Sequence, residues 1–311
     1  CMDEPRNAPR TDPNTDANTV ANTDPRGPSA GPGSDVSVDP ARAASRLAPI
    51  ADPDGDPAAS ATALAGTEPV ASLRELGFTL LAAEQLFEAC GIAPASAAAL
   101  TPHWDDLPPD AHLRDGGRYR RRRYASYVLD LGDDTLSRVP HRAHWQPTEY
   151  NALHGGIERW FEPVDPQLDA QPAWGALLRN LGHLFAAAAS TSTENATDAW
   201  FIEAHQFRID TASGIGRPTP EGAHRDGVDY VAVILIQRID VKGGETRVFQ
   251  AESPFGVRFT LDEPFSALLL DDARVVHETT PIQPAGESNA RAGWRDTLVL
   301  TYRRGGFQQP G

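Results

Sequence analysis

The sequence predicts an α+β protein in which helices come first and an antiparallel double sheet of the sandwich or jelly-roll type follows. Two observations lead to this fold class. A helical apolar pattern prevails before residue 200, and after it come at least six short strand-like segments separated by Gly, Pro and Asp turns. Hydrophobic residues make up 40% of the 311 residues, which is sufficient for a sizeable core.

Residues 1–66 differ in composition from the rest of the chain. They are rich in Pro, Asp, Asn, Thr, Ala and Gly and contain few large apolar side chains. Because such a segment cannot bury enough surface to offset the entropy lost on ordering, we predict a disordered acidic tail. Residues 67–311 are then expected to form a single domain, helical and loop-rich over 67–200 and with its β core over 201–305.

Three segments of the first half carry the clearest local signals. Val70–Gly91 has apolar residues at roughly helical spacing and predicts one or two short helices, broken at Gly77. Arg118–Asp130 reads as a strand. Ala173–Ala188 predicts a helix that begins at Pro172, since proline is favoured in the first helical turn.

The second half predicts a series of strands. Tyr230–Ile239 is apolar at both alternating positions, which is typical of a central strand buried on both faces. The other predicted strands are Phe201–Asp210, Thr246–Gln250, Gly256–Leu261, Ser266–Leu270, Arg274–His277 and Thr297–Tyr302.

Charge and cysteine content exclude several classes of protein. The formal net charge of -15 disfavours binding to nucleic acid phosphates or to anionic membranes. No apolar run reaches the roughly 18 residues that a membrane helix needs, and no secretory signal pattern is visible. The two cysteines, Cys1 and Cys90, cannot form a disulfide framework, so we expect a cytoplasmic protein. A homodimer is compatible with a chain of this size.

Two histidines and an aspartate form the sharpest chemical pattern. His224 and Asp226 stand just before the most apolar strand, and His277 follows another apolar strand later in the chain. Residues two apart on a strand end point the same way, so His224 and Asp226 can coordinate the same metal ion. Two His and one carboxylate are the donor set that holds iron(II) in oxygenases with positions left open. The pattern therefore predicts a metal site.

An arginine near the end of the chain fits the same chemistry. The fork of a guanidinium matches a carboxylate with two parallel hydrogen bonds, which the distal carboxylate of 2-oxoglutarate requires. Arg295 opens the last predicted strand, and parity favours it because it would share a face with Thr297 and Val299. Arg291 and Arg303 remain alternatives, since a polar loop lengthens the spacing from His277.

Three stretches then resemble a known family in their order and sequence. They contain P-E-G-x-H-x-D-G with K-G-G-E, D-D-x-x-x-x-H-x-x-T-P-I, and R-D-T-L-V-L-T-Y-R-R, at Pro220–Phe249, Leu268–Ile282 and Arg295–Arg304. This combination resembles the bacterial 2-oxoglutarate/Fe(II)-dependent dioxygenases that include isoleucine 4-hydroxylase, a family of free amino acid hydroxylases. The resemblance extends from about residue 70 to residue 305.

The resemblance implies a double-stranded β-helix (jelly roll, cupin-like) core with flanking N-terminal helices. It implies Fe(II), 2-oxoglutarate and O2 as cofactors. By the matched motifs, the catalytic metal ligands would be His224, Asp226 and His277, and Arg295 would bind 2-oxoglutarate. Because the carboxylate of Asp226 is retained, hydroxylation is favoured over the halogenation that similar enzymes perform with a small residue there.

Substrate residues are suggested by two further segments. On the predicted strand at residues 118–130, Arg122 or Arg123 could point inward to a substrate carboxylate. Arg208 could do the same, or could pair with Asp210 or Glu203.

The loop that contains Glu149, Tyr150 and Asn151 could line the pocket. We favour Glu149 as the anion for a substrate ammonium group, because a free amino acid needs one there.

These inferences predict a dioxygenase that hydroxylates an unactivated C–H of a free L-amino acid or close derivative, while 2-oxoglutarate is converted to succinate and CO2. Two alternatives stay open. A hydroxylase of a carrier- or protein-bound amino acid would need an open groove or docking surface. A non-catalytic cupin-like metabolite-binding protein is disfavoured by the intact ligand pattern and the arginine.

Overall fold

The computed structural model describes residues 68–189, 199–252, 255–286 and 292–310. The tail predicted at 1–66 therefore lies outside the described residues. The helices are α1 (Pro69–Leu76), α2 (Ala83–Cys90), α3 (Pro94–Ala98), α4 (Pro166–Asp169) and α5 (Pro172–Ala188), with a 3₁₀ turn at Thr101–Trp104. None of the helices in these ranges is both long and apolar enough to cross a membrane.

Twelve strands are present in the described ranges, and most of them fall after residue 198. They are β1 (Phe78–Leu81), β2 (Arg120–Asp130), β3 (Thr135–Arg138), β4 (Ala199–Asp210), β5 (Tyr230–Ile239), β6 (Val241–Gly243), β7 (Thr246–Gln250), β8 (Gly256–Phe259), β9 (Ala267–Asp271), β10 (Val275–Thr279), β11 (Ile282–Pro284) and β12 (Trp294–Arg303).

The strands form one large sheet and two small ones. The large sheet has seven strands in the order β1-β9-β5-β12-β4-β2-β3, and the second has the order β10-β7-β8. β11 and β6 pair separately, and every pairing between these strands is antiparallel. The α+β class and the antiparallel double sheet are thus confirmed.

The central strand β5 is buried on both faces, as its apolar pattern predicts. Ala232 and Ile234 pack in the core that the large sheet shares with α5. Val231 and Leu235 belong to a second core that includes Val248 of β7. The two alternating faces of one strand therefore hold the helical layer and the second sheet on opposite sides of the large sheet.

The longest helix, α5, covers the helical side of the large sheet. Its apolar stripe, which includes Leu177, Leu181 and Phe185, is buried. Two indoles connect this layer to the strands: Trp174 Nε1 donates to Tyr127 Oη at 3.0 Å, and Trp200 Nε1 donates to a carbonyl of the helix at 2.9 Å. The helix predicted over residues 173–188 is confirmed.

The segment after the first helix differs from the prediction. Gly77 ends α1 in the left-handed conformation, and the next residues, Phe78–Leu81, form a strand rather than more helix. They pair with β9 and are buried throughout. The edge of the sheet supplies hydrogen bonds and burial that the local apolar spacing does not reveal. The sequence also missed the exposed strand Thr135–Arg138.

Candidate active site

A cavity of about 120 Å³ opens between the large sheet and the second sheet. Strands β2, β4, β5, β10 and β12 and the loops around residues 144–159 and 218–228 contribute its walls. The side chains at alternate positions of these strands point inward and line the cavity, so strand parity determines which residues line it.

His224 and His277 meet through their backbones at one end of the cavity. Each backbone N–H donates to the other residue's carbonyl at 3.0 Å, which places the two imidazole centroids 4.6 Å apart. Nδ1 of His224 lies 2.9 Å from the carbonyl of Gly222. A proton on Nδ1 completes that hydrogen bond and leaves Nε2 free as a metal ligand.

Asp226 completes the cluster. Its carboxylate oxygens lie 3.9 Å from Nε2 of His224 and 3.8 Å from Nε2 of His277. The three ligand atoms lie within 4.8 Å of one another. Small side-chain adjustments would bring all three onto one ion, so the donor set and its spacing fit iron(II).

The electrostatics of the cluster favour a cation. Burial, and then His224, hold the pKa of His277 well below its usual range, so its imidazole is neutral and available as a ligand. Burial alone would lower the pKa of His224, but Glu221 and then Asp226 outweigh it and the pKa is raised. Burial raises the pKa of Asp226, with Glu221 adding to it against the opposing effect of His224. A divalent ion would remove the proton that His224 otherwise shares with these acids.

Arg295 of β12 lines the same cavity, and in the described part of the chain its guanidinium makes no hydrogen bond or ion pair. It is 3% exposed, and its Nε and Nη2 are buried without a hydrogen-bond partner among the described residues. Burial, and then Arg238, lower its pKa to about 10, so it remains charged at neutral pH. A buried cation with free donors requires an anion, and the carboxylate of 2-oxoglutarate has the matching fork. The parity argument is confirmed, because Thr297 and Val299 face the cavity with it.

Comparison with known proteins identifies this arrangement. A family model described as 2OG-Fe dioxygenase matches residues 101–301. The chain belongs to the 2OG-Fe dioxygenase family. Fe(II) and 2-oxoglutarate are accordingly its cofactors.

Solved structures agree with this assignment. A bsmA homolog from Methylobium petroleophilum PM1 is 53% identical, with a TM-score of 0.73 over 78% of this chain and 94% of that one. The isoleucine dioxygenase IDO from Bacillus thuringiensis is 17% identical, with a TM-score of 0.61 over 76% and 95%. TqaL, an Fe(II)/α-ketoglutarate-dependent dioxygenase, is 18% identical, with a TM-score of 0.58 over 80% and 88%. The last two share the fold. Among curated proteins, none matches the chain.

The cavity of this dioxygenase continues into a polar wall on β2 and β4. Arg122 is buried between the rings of Phe161 and Phe207, with its guanidinium carbon 3.6 and 4.4 Å from their centroids. Its Nη2 lies 2.6 Å from Nδ1 of His205, while its Nε has no partner in the described part of the chain. Burial keeps the pKa of Arg122 well below the usual range of arginine, and the rings stack on the cation.

Beside it lies a second buried cluster of possible ligand atoms, formed by His144, Glu203 and His205. Glu203 already accepts hydrogen bonds from Arg142 Nη1 at 2.9 Å and from Tyr124 Oη, and it lies 3.1 Å from His144 Nδ1. Because its oxygens are taken by these partners, this carboxylate organises the wall of the dioxygenase cavity.

The structure places the predicted loop residues differently from one another. Asn151 is buried at the cavity, where its Nδ2 donates to Gln146 Oε1 at 3.3 Å. Tyr150 is half-buried and packs against Gly227, where a Cβ atom would clash with the tyrosine ring. Glu149 is exposed on a turn and does not line the cavity. It is therefore badly placed to bind an ammonium group at the metal.

Two of the predicted arginines point elsewhere. Arg123 donates to the carbonyls of Pro163 and Asp106, at 3.0 and 3.3 Å, because its position on β2 has the opposite parity to Arg122. Arg208 forms a bidentate pair with Asp296, at 2.8 and 2.7 Å, rather than with Asp210 or Glu203. Cross-strand pairing of β4 with β12 brings these two together, a contact that sequence spacing does not show.

Sequence reasoning missed three other cavity residues. Arg120 and Arg159 each keep a buried guanidinium nitrogen without a partner in the described ranges. Glu221 likewise has a buried, unpartnered Oε2. Only Glu221 had a signal in the sequence, since it stands in the same P-E-G-x-H-x-D-G segment as the metal ligands.

Proposed function

We propose that this dioxygenase hydroxylates an unactivated C–H bond of a free L-amino acid or close derivative and converts 2-oxoglutarate to succinate and CO2. The observation that carries the proposal is a second buried arginine in the cavity. Arg122 and Arg295 both face it, and each keeps an unpartnered guanidinium nitrogen. Arg295 would serve 2-oxoglutarate, and Arg122, like Arg120 and Arg159 at the same cavity, keeps a free donor for the carboxylate of a second acid.

The distance between the two arginines fits two separate ligands. Arg122 is paired across the sheet with Phe207, which is paired in turn with Thr297, the neighbour of Arg295 on the same face. Two strand spacings separate Arg122 from Thr297, and Arg295 lies two residues farther along β12, so the two arginine backbones are about 12 Å apart. A substrate held at Arg122 would therefore lie beside 2-oxoglutarate and not on top of it.

In this mechanism each residue has a distinct task. His224, Asp226 and His277 hold iron(II), and Arg295 holds the distal carboxylate of 2-oxoglutarate. The bound iron and 2-oxoglutarate supply the oxidising chemistry with dioxygen. The chain itself supplies orientation, because the C–H that faces the metal is determined by where Arg122 holds the carboxylate. Phe161, Phe207 and the other buried walls keep bulk water from the reacting centre.

The test is succinate formation from 2-oxoglutarate with iron(II) and ascorbate in air, across the twenty free L-amino acids. We expect one or a few amino acids to stimulate succinate formation and to gain 16 Da, with both signals lost in His224→Ala. Stimulation by a carrier-bound or peptide-bound amino acid alone would contradict the free amino acid. Binding of iron(II) and 2-oxoglutarate without any turnover would favour a metabolite-binding protein.

A further inference from the structure

One carboxylate of the cavity, Glu221, keeps a free oxygen and has only the imidazole of His224 within ion-pair distance in the described ranges. Glu221 lines the cavity three residues before His224, and its Oε2 is buried without a hydrogen-bond partner among the described residues. Its Oε1 lies 3.8 Å from Nε2 of His224. Within the described ranges no lysine or arginine forms an ion pair with it. A buried carboxylate left this way is costly unless a ligand supplies the missing donor.

The other carboxylate of this wall is not available for such a ligand. Glu203 is occupied by Arg142, by the Tyr124 hydroxyl and by His144. Glu221 is therefore the one cavity carboxylate outside the metal cluster, in the described part of the chain, that keeps a free oxygen.

The free donors of the cavity complement this free acceptor. Arg120, Arg122 and Arg159 each have a buried guanidinium nitrogen without a partner, and Asp110 is the only carboxylate within 4.0 Å of any of them in the described ranges. Within the described ranges the cavity thus presents free guanidinium donors and one free carboxylate oxygen. A ligand that satisfies both has a carboxylate and an ammonium group.

We propose that Glu221 binds the ammonium group of the substrate, on the basis of the free amino acid substrate proposed above. The substrate carboxylate would then bind at Arg122 and its ammonium group at Glu221, which lies 3.8 Å from the proposed metal ligand His224. When both charged groups on the α-carbon of the substrate are bound, the orientation of the substrate side chain is fixed. This orientation selects the C–H bond that faces the metal. Glu221 takes the task that the sequence suggested for Glu149. An N-acylated or carrier-bound substrate lacks one of the two charges.

The test is binding to the protein loaded with Mn(II) and 2-oxoglutarate under nitrogen, so that no turnover occurs. Each of the twenty L-amino acids is titrated by calorimetry beside its 2-hydroxy acid, which replaces the ammonium by a hydroxyl. The variants are Glu221→Gln and, as a matched control, Glu158→Gln, which alters an exposed carboxylate outside the cavity. Mn(II) affinity is measured on each protein first.

We expect wild type to bind at least one amino acid roughly 10- to 100-fold more tightly than its 2-hydroxy acid. Glu221→Gln should abolish this preference by weakening the amino acid alone, and Glu158→Gln should retain it. Unchanged amino acid affinity in Glu221→Gln would overturn the assignment of Glu221 while leaving the proposed function intact. Loss of Mn(II) affinity in Glu221→Gln would also overturn it, since Glu221 would then act on the metal. If Mn(II) and 2-oxoglutarate bind but no amino acid does, both the assignment and the free amino acid substrate fail.

Discussion

The carboxylate of Asp272 accepts the backbone N–H of Asp226 at 3.0 Å and so holds the loop that carries this proposed metal ligand. The same carboxylate accepts the N–H of Gly227 at 2.7 Å and of Val228 at 3.1 Å. Asp272 is 1% exposed and stands on the turn before the strand of His277. One side chain therefore connects the two segments that carry the proposed metal ligands, which makes Asp272 a candidate positioning residue.

Replacing Asp272 by Asn should weaken metal binding without removing a ligand. The amide keeps one acceptor oxygen but directs an NH₂ group at backbone N–H donors, so the loop shifts. We expect Mn(II) affinity to fall roughly 10- to 100-fold, measured by titration under nitrogen. Asp271→Asn is the control, because that carboxylate accepts the N–H of Ala273 outside the loop. Equal Mn(II) affinity in wild type and Asp272→Asn would refute this positioning role.

Replacing Arg295 by Lys should weaken the binding of 2-oxoglutarate without weakening the binding of the metal. Lysine retains the charge but not the fork, and the free Nε and Nη2 of Arg295 are the donors that the distal carboxylate would use. We expect the KM for 2-oxoglutarate to rise about 10-fold or more, with little change in Mn(II) affinity. Arg303→Lys tests the alternative from the sequence. The Arg303 guanidinium donates to the carbonyl of Gly306, so the KM of the Arg303→Lys variant for 2-oxoglutarate should stay near that of wild type. The other alternative, Arg291, lies outside the described residues.

Asp110 should contribute stability that depends on pH. Its buried carboxylate accepts Arg120 Nε at 2.7 Å and lies 3.9 Å from Arg122 Nη1. Burial alone would raise the pKa of Asp110, but Arg122 and then Arg120 outweigh it, so the pKa is lowered. Because the folded pKa lies below the unfolded value of about 4, the stabilisation is complete above that value and is lost as the pH falls through the folded pKa.

Asp110→Asn should therefore lower the free energy of unfolding by about 3 kcal/mol at pH 7, because it leaves two buried guanidinium groups without their anion. Urea unfolding at pH 7 and at steps from pH 5 to pH 3 measures the difference from wild type. The difference should shrink below about pH 4, where the unfolded wild-type chain takes up a proton at Asp110 before the folded protein does. A difference that stays constant over the whole range would show that the ionisation of Asp110 does not contribute.

Cys90 should be unreactive in the folded protein. It lies at the end of α2, is 1% exposed, and burial raises the pKa of its thiol to about 12. Since the thiolate is the nucleophile, iodoacetamide at pH 8 should leave Cys90 unmodified until denaturant unfolds the domain. Peptide mass spectrometry separates this site from Cys1. Alkylation of Cys90 without denaturant would show local opening of the helical layer.

The fold was predictable where the local pattern and the tertiary environment agree. The alternation of β5 and the apolar stripe of α5 encode burial directly, and both elements form over the predicted residues. Phe78–Leu81 was not predictable in this way, because its strand depends on β9, which lies far along the chain. Pairing partners at long sequence separation leave no trace in a local apolar pattern.

The site residues also divide into those that the sequence predicts and those that depend on tertiary contacts. The donor set of His224, Asp226 and His277 was readable in the sequence because iron(II) chemistry restricts the residue types, and the structure brings these side chains together. The strand pattern left Arg122 and Arg123 as alternatives for the inward arginine, and the structure turns Arg122 to the cavity. Arg208 was not, because its bidentate partner Asp296 arrives from the neighbouring strand.

The sequence by itself determined the class of the fold, the donor set for the metal and the parity that turns Arg295 inward, since each depends on residue type and on periods of two or 3.6 residues. Only the tertiary structure decided which charges remain unpaired. Glu221 and Glu203 are both carboxylates at the cavity, yet one is saturated by Arg142 and His144 while the other keeps a free oxygen. That difference depends on side chains brought together from distant elements. It determines which carboxylate has an oxygen available to a ligand.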